Sequence, residues 1–201
     1  MGSQHEDMLT GNNSANLLMG LGGNDVLVGG SGADTMVGGD GNDSYTVDNS
    51  GDFIDETGGS GIDIVNTSMT FSLADAVHVK GDVENPTLMG TSGINGTGNA
   101  LDNAITGNGG ANILARLGGA DILDGGAGVD TVTYAASSAG VNVSLMTSAG
   151  SGGDAEGDTL INIEKLTGRL LTTRSKAMVR QMCSTAAPVS IPCHMSTPLP
   201  A

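Results

Sequence analysis

The 201-residue sequence predicts an all-β fold, a parallel β-roll or β-solenoid of nonapeptide repeats. Three observations predict it. Side chains bearing a carboxylate or amide recur every nine residues, an apolar residue follows each of them by two, and the chain has almost nothing with which to fill a thick core. Aromatics are 2% of the residues, Trp is absent and 34 residues are Gly. A globular domain of this length fills its interior with bulky aromatics. Small and branched apolar residues in short groups suit a thin stack in which each layer packs only on its neighbours.

A fixed period outranks other sequence signals when the two compete. In a first array, residues 1–54, the polar positions are Asp7, Asn16, Asp25, Asp34, Asp43 and Asp52. The apolar positions are Leu9, Leu18, Leu27, Met36, Tyr45 and Ile54. The clearest units read GLGGNDVLV, GGSGADTMV and GGDGNDSYT. Residues 55–89 form a strand-rich connection, in which Pro86 takes a place suited to an apolar strand residue and weakens the strand there. A second array, residues 90–134, has Asn103, Asn112, Asp121 and Asp130 at the polar positions and Ile105, Leu114, Leu123 and Val132 at the apolar ones. Residues 135–168 are again strand-rich.

Composition breaks after Gly168. Residues 169–201 contain no Gly and no acid, yet hold four of the five Pro, both Cys and four of the seven basic residues. Read one frame over, with synonymous codons chosen freely, Ala177 to Met195 can encode GNGSANVLDGGAGIDTLSY. The in-frame segments GNGGANIL and DGGAGVDTVTY resemble it closely. The tail is therefore expected to be an out-of-frame, disordered end, and Cys183 and Cys193 to carry no disulfide or metal.

The net charge is −15. Nucleic acid is excluded as a partner, because phosphate contacts need a basic surface. The acids are spaced regularly, unlike the charge blocks of a disordered chain. No apolar run is long enough for a transmembrane helix, and the first 30 residues lack the apolar core of a signal peptide. No Gly-x-Ser-x-Gly elbow, phosphate loop or His-Glu-x-x-His is present. His5 and His78 read as isolated surface residues, and no enzyme activity is expected.

The units resemble the hemolysin-type calcium-binding repeat of the repeats-in-toxin (RTX) family, G-G-x-G-x-D-x-U-x with U apolar. The resemblance implies Ca²⁺ as the cofactor. It also implies a six-residue turn and a three-residue strand per unit, with two units per coil, so that turns on one side recur every 18 residues. Ca²⁺ takes 6–8 oxygen ligands at about 2.3–2.6 Å, more than one turn supplies, so stacked turns share an ion. The implied ligands are Gly20, Gly22, Gly23 and Asp25 with Gly38, Gly39, Asp40, Gly41 and Asp43. Gly29, Gly30, Ser31, Gly32 and Asp34 face Asp52 on one side and Asn16 on the other. In the second array they are Asn112, Asp121, Gly125, Gly126, Gly128 and Asp130. Asn16 and Asn112 offer neutral amides and weaker sites. Arg116 puts a cation in a glycine position beside Asp121 and makes that site doubtful. Asp48, Asp55, Glu56 and Asp63 read as a solvated acidic face or an irregular ion site, and the acidic loop 152–158 as either a flexible loop or an ion site.

The resemblance further implies an extracellular, secreted bacterial protein. It would leave the cell by type I secretion, with an export signal at the extreme C-terminus that an out-of-frame end would lack, and fold on meeting calcium. The alternatives are a non-catalytic accessory domain of a secreted protease or lipase, and an adhesin or surface-layer segment with a cell-surface partner.

Overall fold

The computed structural model describes residues 1–168 and 170–173. They form a β-solenoid of about seven turns. A 3-10 turn at Gly153–Ala155 is the single helical element among the described residues.

One sheet of eleven strands runs along the whole stack. Its parallel part comprises Met8–Thr10, Val26–Val28, Ser44–Val47, Ile64–Thr67, Asn85–Leu88, Ala104–Thr106, Ile122–Asp124 and Thr159–Ile161. The opposite face is divided between two shorter sheets. The first holds Leu17–Gly22, Thr35–Asp40, Phe53–Glu56 and Val79–Gly81. The second holds Phe71–Ser72, Gly96–Thr97, Ile113–Ala115, Thr131–Tyr134 and Lys165–Gly168. Both arrays thus share one continuous sheet, while their other faces end separately.

Within the arrays the register is the one that two units per coil require. Met8 lies beside Val26, Val26 beside Ser44, Ala104 beside Ile122 and Ile113 beside Thr131. The connection keeps the stacking with longer coils, pairing Ser44 with Ile64, Ile64 with Asn85 and Ile54 with Val79. The additional residues bulge outside the strands, so the inward face keeps its register.

Strand alternation sends the middle residue of each short strand inward. Leu27, Met36, Tyr45, Leu114, Leu123 and Val132 are wholly buried. Leu18, Ile54 and Ile105 join them. This is the thin core that the apolar positions predict, one residue deep per coil face.

Pro86 does not prevent a strand. It is buried in Asn85–Leu88, in the middle of the long sheet. Asn85 and Met89 donate their N–H groups to Asp63 and Thr67 on one side. By strand alternation the missing N–H of Pro86 faces the other neighbour. There the pairing is reduced to Thr87 with Thr106, and the N–H of Ala104 turns to the Asn85 side chain at 2.9 Å. The weakening is confined to one side.

Beyond Ile122–Asp124 the stack changes character. Ala149–Ser151 runs antiparallel to Val141–Ser144 and to Thr159–Ile161, which interrupts the parallel order of the long sheet. Residues 169–201, with Cys183 and Cys193, lie outside the described residues except for the strand Leu170–Thr173, which pairs with Val141–Ser144.

Candidate metal centre

The turns ending at Asp25, Asp34, Asp43 and Asp130 are shaped by their second and fourth residues, whose backbones take positive φ. Gly30, Gly39 and Gly126 do so at the second position and Gly23, Gly32, Gly41 and Gly128 at the fourth. Glycine alone adopts this conformation without a steric penalty. Leu21 occupies a second position at φ 86° and is held there by its neighbours.

The first residue of the turn serves by lacking a side chain. Gly20 is buried against Asp25 Oδ2 and the carbonyl oxygen of Gly38, and Gly29 against Asp34 Oδ2. Gly38 lies against Asp43 Oδ2 and Gly125 against the Asp130 side chain. A Cβ at any of these positions would enter the space the carboxylate uses.

The sixth-position carboxylates form a ladder along the stack. The N–H of Asp25 donates to Asp43 Oδ1 at 2.7 Å, and that of Asp7 to Asp25 Oδ1 at 2.8 Å. On the other side Asn16 donates to Asp34 Oδ1 at 2.8 Å and Asp34 to Asp52 Oδ1 at 3.0 Å. In the second array Asn103 donates to Asp121 at 2.9 Å and Asn112 to Asp130 at 2.7 Å. These are the side-sharing partners expected from a repeat of 18.

One oxygen of each pair is consumed this way. The other, Oδ2, is buried and has no hydrogen-bond partner in Asp25, Asp34, Asp43, Asp121 and Asp130. Beside Gly20 the carbonyl oxygen of Gly38 lies on the same side as Asp25 Oδ2, and beside Gly38 the oxygens of Tyr45 and Glu56 lie on the same side as Asp43 Oδ2. An ionised oxygen buried without a partner costs several kcal/mol. An all-oxygen surrounding that repels a further anion is what a hard cation requires. The residues present therefore fit Ca²⁺.

The remaining predicted positions differ in detail. Asp52 has its second oxygen taken by the N–H groups of Asp48 and Asn49, both at 3.1 Å, so its turn is closed by its own backbone. Asn16 Oδ1 accepts from Asn12 N–H at 2.7 Å. Asn112 Oδ1 accepts from Asn108 N–H, and its amide nitrogen donates to Ile94 O and Asn108 Oδ1. Ser31 and Asp40 are exposed, and Asp40 Oδ1 accepts from Ser60 Oγ at 2.7 Å.

Arg116 is buried, and its charge bears on Asp121. Its guanidinium pairs with Asp158 and lies 4.0 Å from the centre of the Tyr134 ring. Tyr134 OH donates to Asp158 Oδ2 at 3.1 Å. A fixed organic cation thus stands in the glycine column of the second array, with its charge matched by a buried carboxylate.

Several ladder members escaped the nine-residue spacing. Asp43 donates to Asp63 Oδ1 at 2.8 Å, Asp63 to Glu84 at 2.8 Å, Asp121 to Asp158 at 3.1 Å and Asp130 to Glu164 at 2.7 Å. Each accepting acid is followed two residues later by a residue in an apolar or strand place: Val65, Pro86, Leu160 and Leu166. The acid-x-apolar pair, freed from a fixed spacing, identifies all four.

Burial pushes several of the buried acids upward. Desolvation, with the neighbouring acids Asp63 and Asp43 adding, raises Glu56 to about 8. Asp63 rises to about 7 and Asp121 to about 6, again chiefly through desolvation. Asp25, Asp43, Asp52 and Asp130 move the same way for the same first cause. Glu56 and Asp63 are buried, which removes them from the solvated acidic face they were read as.

His78 has a partner, contrary to its reading as isolated: Nδ1 sits 2.8 Å from Asp75 Oδ2 on the surface. Among the described residues no hydroxyl or thiol hydrogen-bonds to its ring. No helix among the described residues is long and apolar enough to cross a membrane.

Comparison with known families accords with this geometry. The model of the RTX calcium-binding nonapeptide repeat matches four copies, in residues 10–45 and 97–132. A search of curated proteins found no match.

Proposed function

Because this chain carries RTX calcium-binding nonapeptide repeats and so binds Ca²⁺, we propose that it is a module whose folding is driven by calcium, in a secreted bacterial protein. The observation that carries the reading is the set of buried, unpartnered Oδ2 atoms on Asp25, Asp34, Asp43, Asp121 and Asp130. Without a cation these oxygens are desolvated and repel one another along the ladder. The one-residue-deep core offers little to oppose that repulsion. A ligand that binds only the folded coil adds its binding free energy to folding.

The ions are held by the turns ending at Asp25 and Asp43, and at Asn112 and Asp130, with a weaker site at Asp34 and Asp52, whose carboxylate already accepts from its own turn. Side-chain carboxylates supply charge, and the glycine carbonyls complete the shell. Asn16 and Asn112 bind more weakly because their amides are neutral and already hydrogen-bonded. The module is non-catalytic, and any chemistry belongs to sequence joined to it, as in an accessory domain of a secreted hydrolase. An extracellular location follows from the same logic. Calcium there is millimolar, whereas a chain of net charge −15 stays open where calcium is scarce.

Circular dichroism with and without EGTA tests the proposal, together with calorimetric titration by Ca²⁺. The expected result is a mostly unordered chain that gains β-structure on taking up several ions. A chain equally ordered in EGTA would sink the coupling, and one that takes up no calcium would sink the site.

A further inference from the structure

We propose that the Arg116 guanidinium stands where a calcium ion would sit between the turns ending at Asp121 and Asp158, so that this join of the stack takes up no metal. The inference rests on the calcium reading above and marks the place where that reading stops, in a turn that keeps the spacing of the repeat.

Two features of the join do not fit Ca²⁺. The first is the supply of oxygens. Asp158 has none to spare, because Oδ1 accepts from the Asp121 N–H at 3.1 Å and Oδ2 is shared by Arg116 and the Tyr134 hydroxyl. Asp121 Oδ1 accepts from the Asn103 N–H at 2.9 Å. Its Oδ2 makes no hydrogen bond, as at the repeat sites, but here the charge of Arg116 acts on it. The second is the shape of the turns. Leu117 and Asp154 hold the second positions, where Gly30, Gly39 and Gly126 take positive φ elsewhere. Gly153–Ala155 is a 3-10 turn, which spends carbonyl oxygens on its own chain. Gly152 O accepts from Ala155 N–H at 3.0 Å and Ala155 O from Asp158 N–H at 3.3 Å.

A cation that the chain itself brings does fit. Arg116 takes the first position of its turn, where Gly20, Gly29, Gly38 and Gly125 leave room for a carboxylate. Its side chain is wholly buried, and the guanidinium lies 4.0 Å from the centre of the Tyr134 ring. A metal ion entering this space meets a fixed like charge away from water, where repulsion is strong. Guanidinium stays charged at every ordinary pH and is weakly hydrated, which suits it to a buried pair. Unlike calcium, it cannot leave when the free ion becomes scarce. The pairing of Ile122 with Thr159 and of Leu123 with Leu160 is therefore closed without metal. Apolar burial continues past the join through Tyr134, Val141, Val143, Ala155 and Leu160.

The chain has two Tyr and no Trp, which supplies a selective probe. Terbium, a calcium substitute, emits when excited through a tyrosine in its immediate surroundings. Tyr45→Phe keeps a ring in the core of the first array and leaves Tyr134 as the one reporter. Tyr134 touches Asp158 and ends the strand Thr131–Tyr134, at roughly 3.3 Å per residue away from the turn ending at Asp130. In the full chain, Tyr45→Phe loaded with terbium is expected to give little tyrosine-excited emission. Adding Arg116→Gly restores the first-position glycine and releases Asp158 Oδ2. It is expected to switch the emission on and to add one ion to the calorimetric count. Strong emission from Tyr45→Phe alone puts an ion at the join beside Arg116 and overturns the inference. So does a double variant that folds in calcium yet gains neither emission nor an ion. Should the double variant not fold, hydrogen exchange of the parent decides. The Asp121 and Thr159 amides should stay protected in EGTA after those of Asp25 and Ser44 have lost protection, and equal loss overturns the inference. A parent chain with a calorimetric count of zero overturns the function proposed above together with this inference, a result distinct from each of these.

Discussion

Single residues in the turns do most of their work through the space they leave. Gly38 has no Cβ where Asp43 Oδ2, Glu56 Oε1 and Tyr45 OH converge, so Gly38→Ala forces these oxygens apart. We expect it to destabilise the calcium-loaded fold by about 1–3 kcal/mol, the usual cost of overfilling a packed site, read as a lower melting temperature in saturating Ca²⁺. Leu21 presents the opposite case. It holds φ 86° where other turns place Gly30, Gly39 and Gly126, at a strain of about 1–2 kcal/mol. Leu21→Gly relieves that strain but loosens the unfolded chain by about 0.5–1 kcal/mol. The expected net effect is a gain of up to about 1 kcal/mol, measured in the same melts, and a loss would show that Leu21 is not strained. Arg116 is a third kind of residue, a cation built into the column. Replacing it by Met leaves Asp158 buried without its partner. Breaking a buried pair in this way costs about 3–5 kcal/mol, and the second array should melt well before the first, as residue-resolved hydrogen exchange would report.

At the scale of the coil, what matters is whether each strand finds its partner. Pro86 leaves the pairing between Asn85–Leu88 and Ala104–Thr106 with one rung. Pro86→Val restores an N–H and a β-branched inward side chain. It is expected to raise stability by roughly 1 kcal/mol, the net worth of one such hydrogen bond, and unchanged melting would show that the lost rung costs nothing. The strands at regular spacing were legible in the sequence because acid and apolar residue recur together, and the inward places of Leu27, Met36, Leu114 and Val132 follow directly. The continuation of the ladder through Asp63, Glu84, Asp158 and Glu164 was not. Insertions between coils shift those acids out of a nine-residue frame while leaving the local geometry intact. Nor could spacing reveal that Arg116 folds inward, since that depends on Asp158 and Tyr134, which follow much later in the chain.

The whole molecule is a column of buried acids, so its stability depends on what neutralises them. In the folded chain Glu56 rises from 4.5 to about 8 and Asp63 from 3.8 to about 7. Raised carboxylates favour the fold when protonated. Without calcium, that contribution is fully present below about pH 4 and is lost as pH climbs through 7 and 8. Calcium needs the ionised form, so its affinity strengthens over the same interval. Circular dichroism in EGTA should therefore show more β-structure at pH 5 than at pH 8.5, with calcium erasing the difference. A calcium-free chain better ordered at pH 8.5 would contradict this. The bonds from the turns' sixth-position amides to the next carboxylate all lean one way. Asp7 borrows from Asp25, Asp25 from Asp43, and Asp121 from Asp158, always from a later coil. The stack is consequently polar, and its two ends are not equivalent under trimming. Removing residues 1–15 leaves every later sixth-position amide with its carboxylate and frees the Gly22 and Val26 N–H groups from Ser3 and Asp7, whereas ending the chain before Asp158 orphans the amides of Asp121 and Asp130 and exposes their turns. Order therefore has to be seeded at the downstream end and spread backward toward the first coil.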